Sequence, residues 1–268
     1  MTEKRVTVIR DESVLVIRLS NPESRNSLTT ELREDLGAAI AQAEREREVR
    51  AVFLTGDGPT FCSGGDLNML KDACEPWQVH RRFRGLSRWL FPLLWLDKPV
   101  VVGINGQAVG GGMGLALSGD VLIAGESAKL IAGFFRLGAI PDIGIMYHLP
   151  RLIGMARAKN FLFSGGSFSA KEAADLGLVS RVVPDEKLYE EGLREAKRLA
   201  QGPAEVMGLA KSLMARSFET SMTDMFAFEG FGQALAMANP EFKEGLAAAL
   251  ERRPADFAAA AKPESRQE

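Results

Sequence analysis

The 268-residue sequence is poor in several residue types, and each shortage excludes a class of chemistry. Two cysteines, Cys62 and Cys74, cannot make a disulfide framework. Two histidines, His80 and His148, stand at no metal-ligand spacing from either cysteine, so a zinc site is not expected. Long apolar runs are missing too. The most apolar stretches, such as Pro99–Ile104 and Val121–Ala124, fall far short of a bilayer span, so no membrane partner is expected. The opening Met1-Thr-Glu-Lys-Arg has no apolar segment resembling a secretion signal, which leaves a cytoplasmic address as the expectation. Charge of one sign is also lacking. Thirty-three basic against 35 acidic side chains leave a net charge of -2, with no global pull towards nucleic acid. An anionic ligand would need a local basic patch.

What is present reads as alternating strands and helices. Arg5–Arg10 and Val14–Ser20 alternate apolar and polar residues, as in a hairpin turning near Asp11-Glu12. Thr29 or Thr30 is placed to cap an amphipathic helix running to about Arg47. Ala51–Thr55, Pro99–Asn105 and Asp120–Ala124 are short buried strands, and a helical tract with Trp77, Phe83, Trp89 and Trp95 along it covers Pro76–Leu96. From Asp185 the pattern is almost all helical: Glu186–Ala200, Ala204–Glu219, Thr223–Ala238 and Phe242–Glu251. This is an α/β layered pattern. No fixed-period repeat is visible, and the change near Gln201-Gly-Pro divides a mixed core, residues 1–200, from a helical region, residues 201–268.

Two glycine-rich loops carry the chemistry. Phe61-Cys-Ser-Gly-Gly-Asp-Leu and Val109-Gly-Gly-Gly-Met-Gly-Leu each follow a strand and open a helix. Glycine lets a ligand approach the main chain closely, and free N–H groups at a helix start point outwards. Two such donors converging on one oxygen would form an oxyanion hole. Tight turns or close helix–strand packing would explain either loop alone equally well. Neither loop matches a phosphate-binding fingerprint in a suitable setting.

Taken in order, the loops and their flanks resemble the crotonase superfamily of acyl-coenzyme A enzymes. The resemblance includes Asn21-Pro, Arg25-Asn-Ser-Leu, Val49-Arg-Ala-Val-Phe-Leu-Thr-Gly and Lys98-Pro-Val-Val-Val-Gly-Ile-Asn-Gly. It continues through Leu149-Pro-Arg-Leu-Ile-Gly and Ser169-Ala-Lys-Glu-Ala-Ala-Asp-Leu-Gly-Leu-Val, and so spans nearly the whole chain. It implies a ClpP-like spiral of repeated ββα turns, with a C-terminal helical region that builds a homotrimer or a hexamer. It implies an acyl-CoA substrate and no separate cofactor, coenzyme A being part of the substrate. By position, the oxyanion donors would be the N–H groups of Gly65 and Gly111. Ser63, Asp66 and Leu67 would meet the adenine and pantetheine portions alongside them, and Arg25 would stand near the phosphates.

Hydratases of this family resemble one another in two glutamates that position water. Here those places hold Gly114 and Phe134, so ordinary hydration lacks its acid–base pair. One carboxylate remains, Asp142 in Gly138-Ala-Ile-Pro-Asp-Ile-Gly. In some isomerases of the family an aspartate at the matching place shuttles a proton along the acyl chain. An apolar pocket of Phe134, Phe135 and Ile140 would raise its pKa towards that of a useful base. The plain alternative is that Asp142 caps the helix starting near Gly144. The hydrolytic dehalogenase branch places a nucleophilic aspartate there and agrees at Gly114 and Gly125–Ala128, but its tryptophan would fall on Phe134 and its histidine on Ser87. A non-catalytic acyl-CoA binder and an RNA-binding relative stay open as other classes, the near-neutral charge weighing against RNA. Tyr147 or His148 could point into the pocket, although a surface or core role is the commoner one. Asp120 is expected to fix local backbone, His80 to lie on a solvated helix face, and Glu126 to sit in a turn.

Overall fold

The computed structural model describes residues 4–72 and 75–261, so Cys74 lies outside the described residues. Val6–Asp11 (β1) and Val14–Leu19 (β2) pair antiparallel, turning through Glu12 at φ 54°. Thr29 accepts a hydrogen bond from Leu32 N and starts helix α1, Thr30–Arg45, whose Leu32, Leu36, Ala39, Ile40 and Ala43 form one buried stripe.

Strands then come in pairs that part company: Ala51–Gly56 (β3) with Thr60–Cys62 (β4), Val100–Ile104 (β5) with Gln107–Val109 (β6), and Val121–Gly125 (β7) with Lys129–Ile131 (β8). The first member of each pair joins a six-stranded sheet, β1-β2-β3-β5-β7 closing on Arg181–Val183 (β10). The second joins a four-stranded sheet, β4-β6-β8 closing on Ser167–Ser169 (β9). Successive turns stack in parallel through β2-β3-β5-β7 and through β4-β6-β8, which is the expected spiral. The pairs begin at Ala51, Val100 and Val121, spaced so unevenly that no fixed period could register in the sequence.

Both faces of the large sheet are covered, so its strands read as unbroken apolar runs rather than alternating ones. Leu15, Ile17, Val52, Leu54, Val100 and Val102 face the main core. Val14, Val16, Phe53, Val101 and Ile123 face helix Leu188–Ala200. That helix approaches closely because Gly192 leaves room for the Phe53 ring, which a Cβ there would meet at 2.4 Å.

The helices between and after the strands are Leu67–Asp72 (α2), Pro76–Arg84 (α3), Leu90–Leu94 (α4), Gly111–Ala116 (α5), Ile145–Ile153 (α6), Met155–Phe163 (α7), Ala170–Asp175 (α8) and Leu188–Ala200 (α9). The expected helical tract over Pro76–Leu96 is thus broken, with a 3-10 turn at Gly85–Arg88 between α3 and α4. The break is where α1 crosses: a Cβ on Gly37 would lie 3.0 Å from Arg88 O. Of the aromatics along the tract only Trp89 is core; Trp77 and Trp95 are largely exposed.

Ala204–Met214 (α10), Met222–Ala238 (α11), Pro240–Glu251 (α12) and Phe257–Ala260 (α13) complete the chain. Arg50, at the start of β3, ties them to the core. Its guanidinium donates to Ala200 O, Gly202 O and Glu241 Oε1 at 2.7–2.8 Å, and Glu241 is wholly buried. Breaking a buried pair leaves a charge without compensation, so Arg50→Ala should destabilise the protein by about 3–5 kcal/mol in denaturant unfolding. Arg50→Ala and Glu241→Ala together should cost clearly less than the sum of the two single changes.

Candidate active site

The two glycine loops touch backbone to backbone. Gly64 has φ +82°, and a Cβ there would stand 2.5 Å from Val109 O and 3.0 Å from Gly111 N. On the other side, a Cβ on Gly112 would meet Cys62 O at 2.1 Å. Only glycines allow these approaches, and the result is that Gly64, with Gly65 next in the chain, lies against the start of α5. Among the described residues neither the Gly65 nor the Gly111 N–H donates a hydrogen bond. Both are free to meet a ligand oxygen.

The segment from Asn21 to Thr29 holds the first loop from outside. Leu28 N donates to Gly64 O at 2.8 Å and Ser63 N to Arg25 O at 3.0 Å. Arg25 and Asn26 both adopt left-handed backbone, φ 54° and 53°. The buried Asn26 side chain accepts from Asn21 N and donates to Asp57 O and Thr60 O, fastening the segment to β4. Its supporting role was not foreseen, although Asn tolerates this conformation better than most residues. The Arg25 side chain is exposed beside the loop and Ser63 is half-buried. Leu67 is 63% exposed, and Asp66 caps α2 by accepting from Met69 N at 2.9 Å.

Asp142 stands beside the second loop. Its Oδ1 lies 3.5 Å from where a Cβ on Gly111 would be. The carboxylate does not cap α6: the N-cap is Gly144, no side chain bonds the helix start, and Ile145 N instead meets the Asp142 backbone carbonyl. Burial pushes the Asp142 carboxyl from its ordinary 3.8 up to about 6, against the opposing pull of the Arg82 guanidinium. The next residue, Ile143, is held at φ 49°, a strained setting for a β-branched side chain.

That strained turn fills the space beside Gly114. A Cβ on Gly114 would sit 2.4 Å from Ile143 O and 2.7 Å from Ile143 Cβ. Phe134 is buried, its ring 3.6 Å from the Cβ position of Gly110. Leu28, Phe134 and Ile143 therefore pack around the second loop. Phe135 and Ile140, expected to line the pocket, are instead 40% and 71% exposed; Phe135 turns away to an edge contact with Phe163. Gly114→Glu should overpack this point, destabilise by about 1–3 kcal/mol, and confer no hydratase activity in an assay of water addition to a 2-enoyl-CoA.

The other candidates lie elsewhere. Tyr147 donates to Ala215 O and stacks under Arg151. His148 packs on Gly144 and lines a separate cavity of about 620 Å³ between the core and α10. Asp120 accepts from Val100 N and pairs with Lys211, a structural role as expected. His80 and Glu126 are exposed, and Cys62 is a buried free thiol whose pKa burial lifts to about 12. Among the described residues no cluster of His, Cys, Asp or Glu could hold a metal ion, and no helix is long and apolar enough to cross a membrane.

Residues 10–260 match the family model described as enoyl-CoA hydratase/isomerase. The chain belongs to the enoyl-CoA hydratase/isomerase family. It is 35% identical over 253 residues to the 1,2-epoxyphenylacetyl-CoA isomerase of Escherichia coli K12, covering 92% of this chain and 95% of that protein. It is 30% identical over 248 residues to the mitochondrial enoyl-CoA hydratase of Pongo abelii, covering 92% and 84%. Among solved structures, the enoyl-CoA hydratase/isomerase of Cupriavidus metallidurans CH34 superposes with a TM-score of 0.90 at 29% identity, over 96% of this chain and 97% of that one. The enoyl-CoA hydratase of Polaromonas sp. JS666 gives 0.88 at 30% identity, over 93% and 98%. The family thus contains isomerases and hydratases at similar distance from this chain, and likeness alone does not choose between the two reactions.

Proposed function

We propose that this family member isomerises an acyl-CoA, moving a 3,4 double bond to the 2,3 position with Asp142 as the proton shuttle. The thioester carbonyl oxygen sits against the Gly65 and Gly111 N–H groups. Asp142 removes a proton from C2, the C2–H electrons move into a dienolate, and the two amides hold its oxygen. The same carboxyl then returns the proton at C4, the double bond settles between C2 and C3, and the enzyme is regenerated. One group suffices, because the acid in the second half is the base of the first.

The observation that carries this reading is the Asp142 carboxylate: uncapped, facing Gly111, and tuned by burial to about 6. Hydration needs a second carboxylate and a held water, and the places for them are filled by the Ile143 turn and the Phe134 ring. Coenzyme A enters as part of the substrate, with Ser63, Asp66 and Leu67 along its path and the exposed Arg25 near its phosphates. The exposed apolar residues of α11, among them Phe226, Phe231 and Leu235, supply the face for the proposed trimer.

The test is to incubate a 3-enoyl-CoA with the enzyme in ¹⁸O-labelled water and analyse products by mass. A 2-enoyl-CoA without labelled oxygen is expected. A labelled 3-hydroxyacyl-CoA as the enzyme's direct product would overturn the reading in favour of hydration, and release of free coenzyme A in favour of hydrolysis.

A further inference from the structure

Helix α6 begins just after Asp142 and is weakly made at that end. Its N-cap, Gly144, has φ +76°, and no side chain bonds the helix start. Ile145 N meets Asp142 O at 3.1 Å, and Tyr147 N and His148 N both meet Gly144 O at 2.9 Å. Further along, Pro150 has no N–H to give to Met146 O. Ile145, Leu149 and Ile153 face the core, but His148 and Leu152 line the cavity of about 620 Å³ that Met214 and Ala215 border from the end of α10. On that side α6 meets open space instead of packed side chains.

The helix is tied instead to the segment between α10 and α11. Tyr147 Oη donates to Ala215 O at 3.2 Å. Arg151, one turn on, holds its guanidinium carbon 3.6 Å from the centre of the Tyr147 ring and 5.4 Å from that of Phe218. Its Nη1 donates to Tyr147 O at 3.0 Å and its Nη2 to Glu219 Oε1 at 3.3 Å. An exposed ion pair alone holds little, but a planar cation stacked on a ring and bonded to both elements is fixed in one orientation. Its Nε is shut off from water with no partner among the described residues, a cost that a freely placed surface arginine avoids. The segment it grips is itself anchored: Lys211 on α10 pairs with Asp120 at 2.9 Å, and Asp120 accepts from Val100 N in β5.

We propose that Arg151 is a positioning residue: by clamping α6 to the 215–219 segment it fixes the helix start that presents Asp142 to Gly111. This rests on the Asp142 reading for the chemistry, and the test separates the two. Arg151→Met keeps the aliphatic stem and removes the guanidinium. Its kcat for a 3-enoyl-CoA should fall by about 10- to 100-fold with KM changed less than about twofold, since misplacing a reacting group by about 1 Å can cost 10²-fold. Arg151→Lys, which keeps a cation over the ring, should recover part of the loss. In an Asp142→Asn background Arg151→Met should change the residual rate less than about twofold, because the group it positions no longer reacts. A second readout is independent of catalysis. Amide hydrogen exchange followed by mass should quicken in Arg151→Met over the peptide holding Ile145, Tyr147 and His148, whose N–H groups close the helix start. Tyr147→Phe combined with Glu219→Gln weakens the tie while leaving Arg151 in place, and should move both readouts the same way. Unchanged exchange at the helix start, or an equal fall in kcat in both Asp142 backgrounds, would overturn the inference and leave Arg151 a contributor to stability alone. Full activity in Asp142→Asn would remove the earlier reading, and exchange at the helix start would still uphold or overturn the clamp.

Discussion

Asp142→Asn is expected to lower kcat for 3-enoyl-CoA isomerisation by about 10²–10⁴-fold with little change in KM, because it keeps the side chain's shape and removes its basicity. In wild type, kcat should follow the ionised fraction of Asp142. Its carboxyl is raised to about 6, so activity should fall as pH drops through that value and level off above it. Arg82 opposes the rise, so Arg82→Met should move the profile to higher pH. The same shift has a consequence for stability. Between the ordinary 3.8 and the raised value of about 6, the folded protein holds a proton that the unfolded chain has lost. Stability therefore declines as pH climbs across that window and stays reduced above it. Asp142→Asn escapes the penalty. It should be more stable than wild type at neutral pH, by on the order of 1 kcal/mol after allowing for solvent at a part-exposed carboxyl, with the gap closing in acid. An inactive variant with a higher Tm near neutrality would mark Asp142 as a group held for chemistry at the expense of the fold.

Gly64→Ala should have the second largest effect on activity. The added methyl would stand 2.5 Å from Val109 O and 3.0 Å from Gly111 N, so the two loops must part at the point where their amides are proposed to share one oxygen. Loss of one such donor costs about 2.7–4 kcal/mol of transition-state stabilisation, or roughly 10²–10³ in kcat. Alanine also dislikes φ +82°. Gly138→Ala separates the two causes, for Gly138 has φ +68° but nothing within 4 Å of its Cβ position. Strain alone should cost both variants stability, whereas only Gly64→Ala should lose most of its turnover. Circular dichroism would confirm that both remain folded.

Much of this site is legible in the sequence. The hairpin, the Thr29 cap and the buried strands follow from local pattern, and the two loops declare themselves by glycine content. Asp142 stood out because neighbouring positions lacked the carboxylates that the resemblance led one to expect. What was not legible depends on contacts distant in sequence. The break in Pro76–Leu96 falls where α1 presses on Arg88, and the exposure of Ile140 is a matter of tertiary placement that no local pattern carries. Whether Asp142 caps α6 could not be read from a Pro-Asp dipeptide; it turned on Ile143 taking a left-handed conformation and Gly144 serving as N-cap. Asn26 looked like one letter of a motif, yet its amide fastens the outer segment to the strand behind the first loop.

The central claim is that a carboxylate at Asp142 faces a thioester oxygen held by the two glycine loops. It is tested most directly by hydrogen exchange at C2 of a saturated acyl-CoA in deuterated water, which needs the base and the oxyanion hole but no double bond. Wild type should wash deuterium into C2, with a rate that falls in acid below about pH 6, while Asp142→Asn should leave C2 unlabelled beyond the uncatalysed rate. Exchange that persists unchanged in Asp142→Asn would contradict the account, because some other group would then be taking the proton.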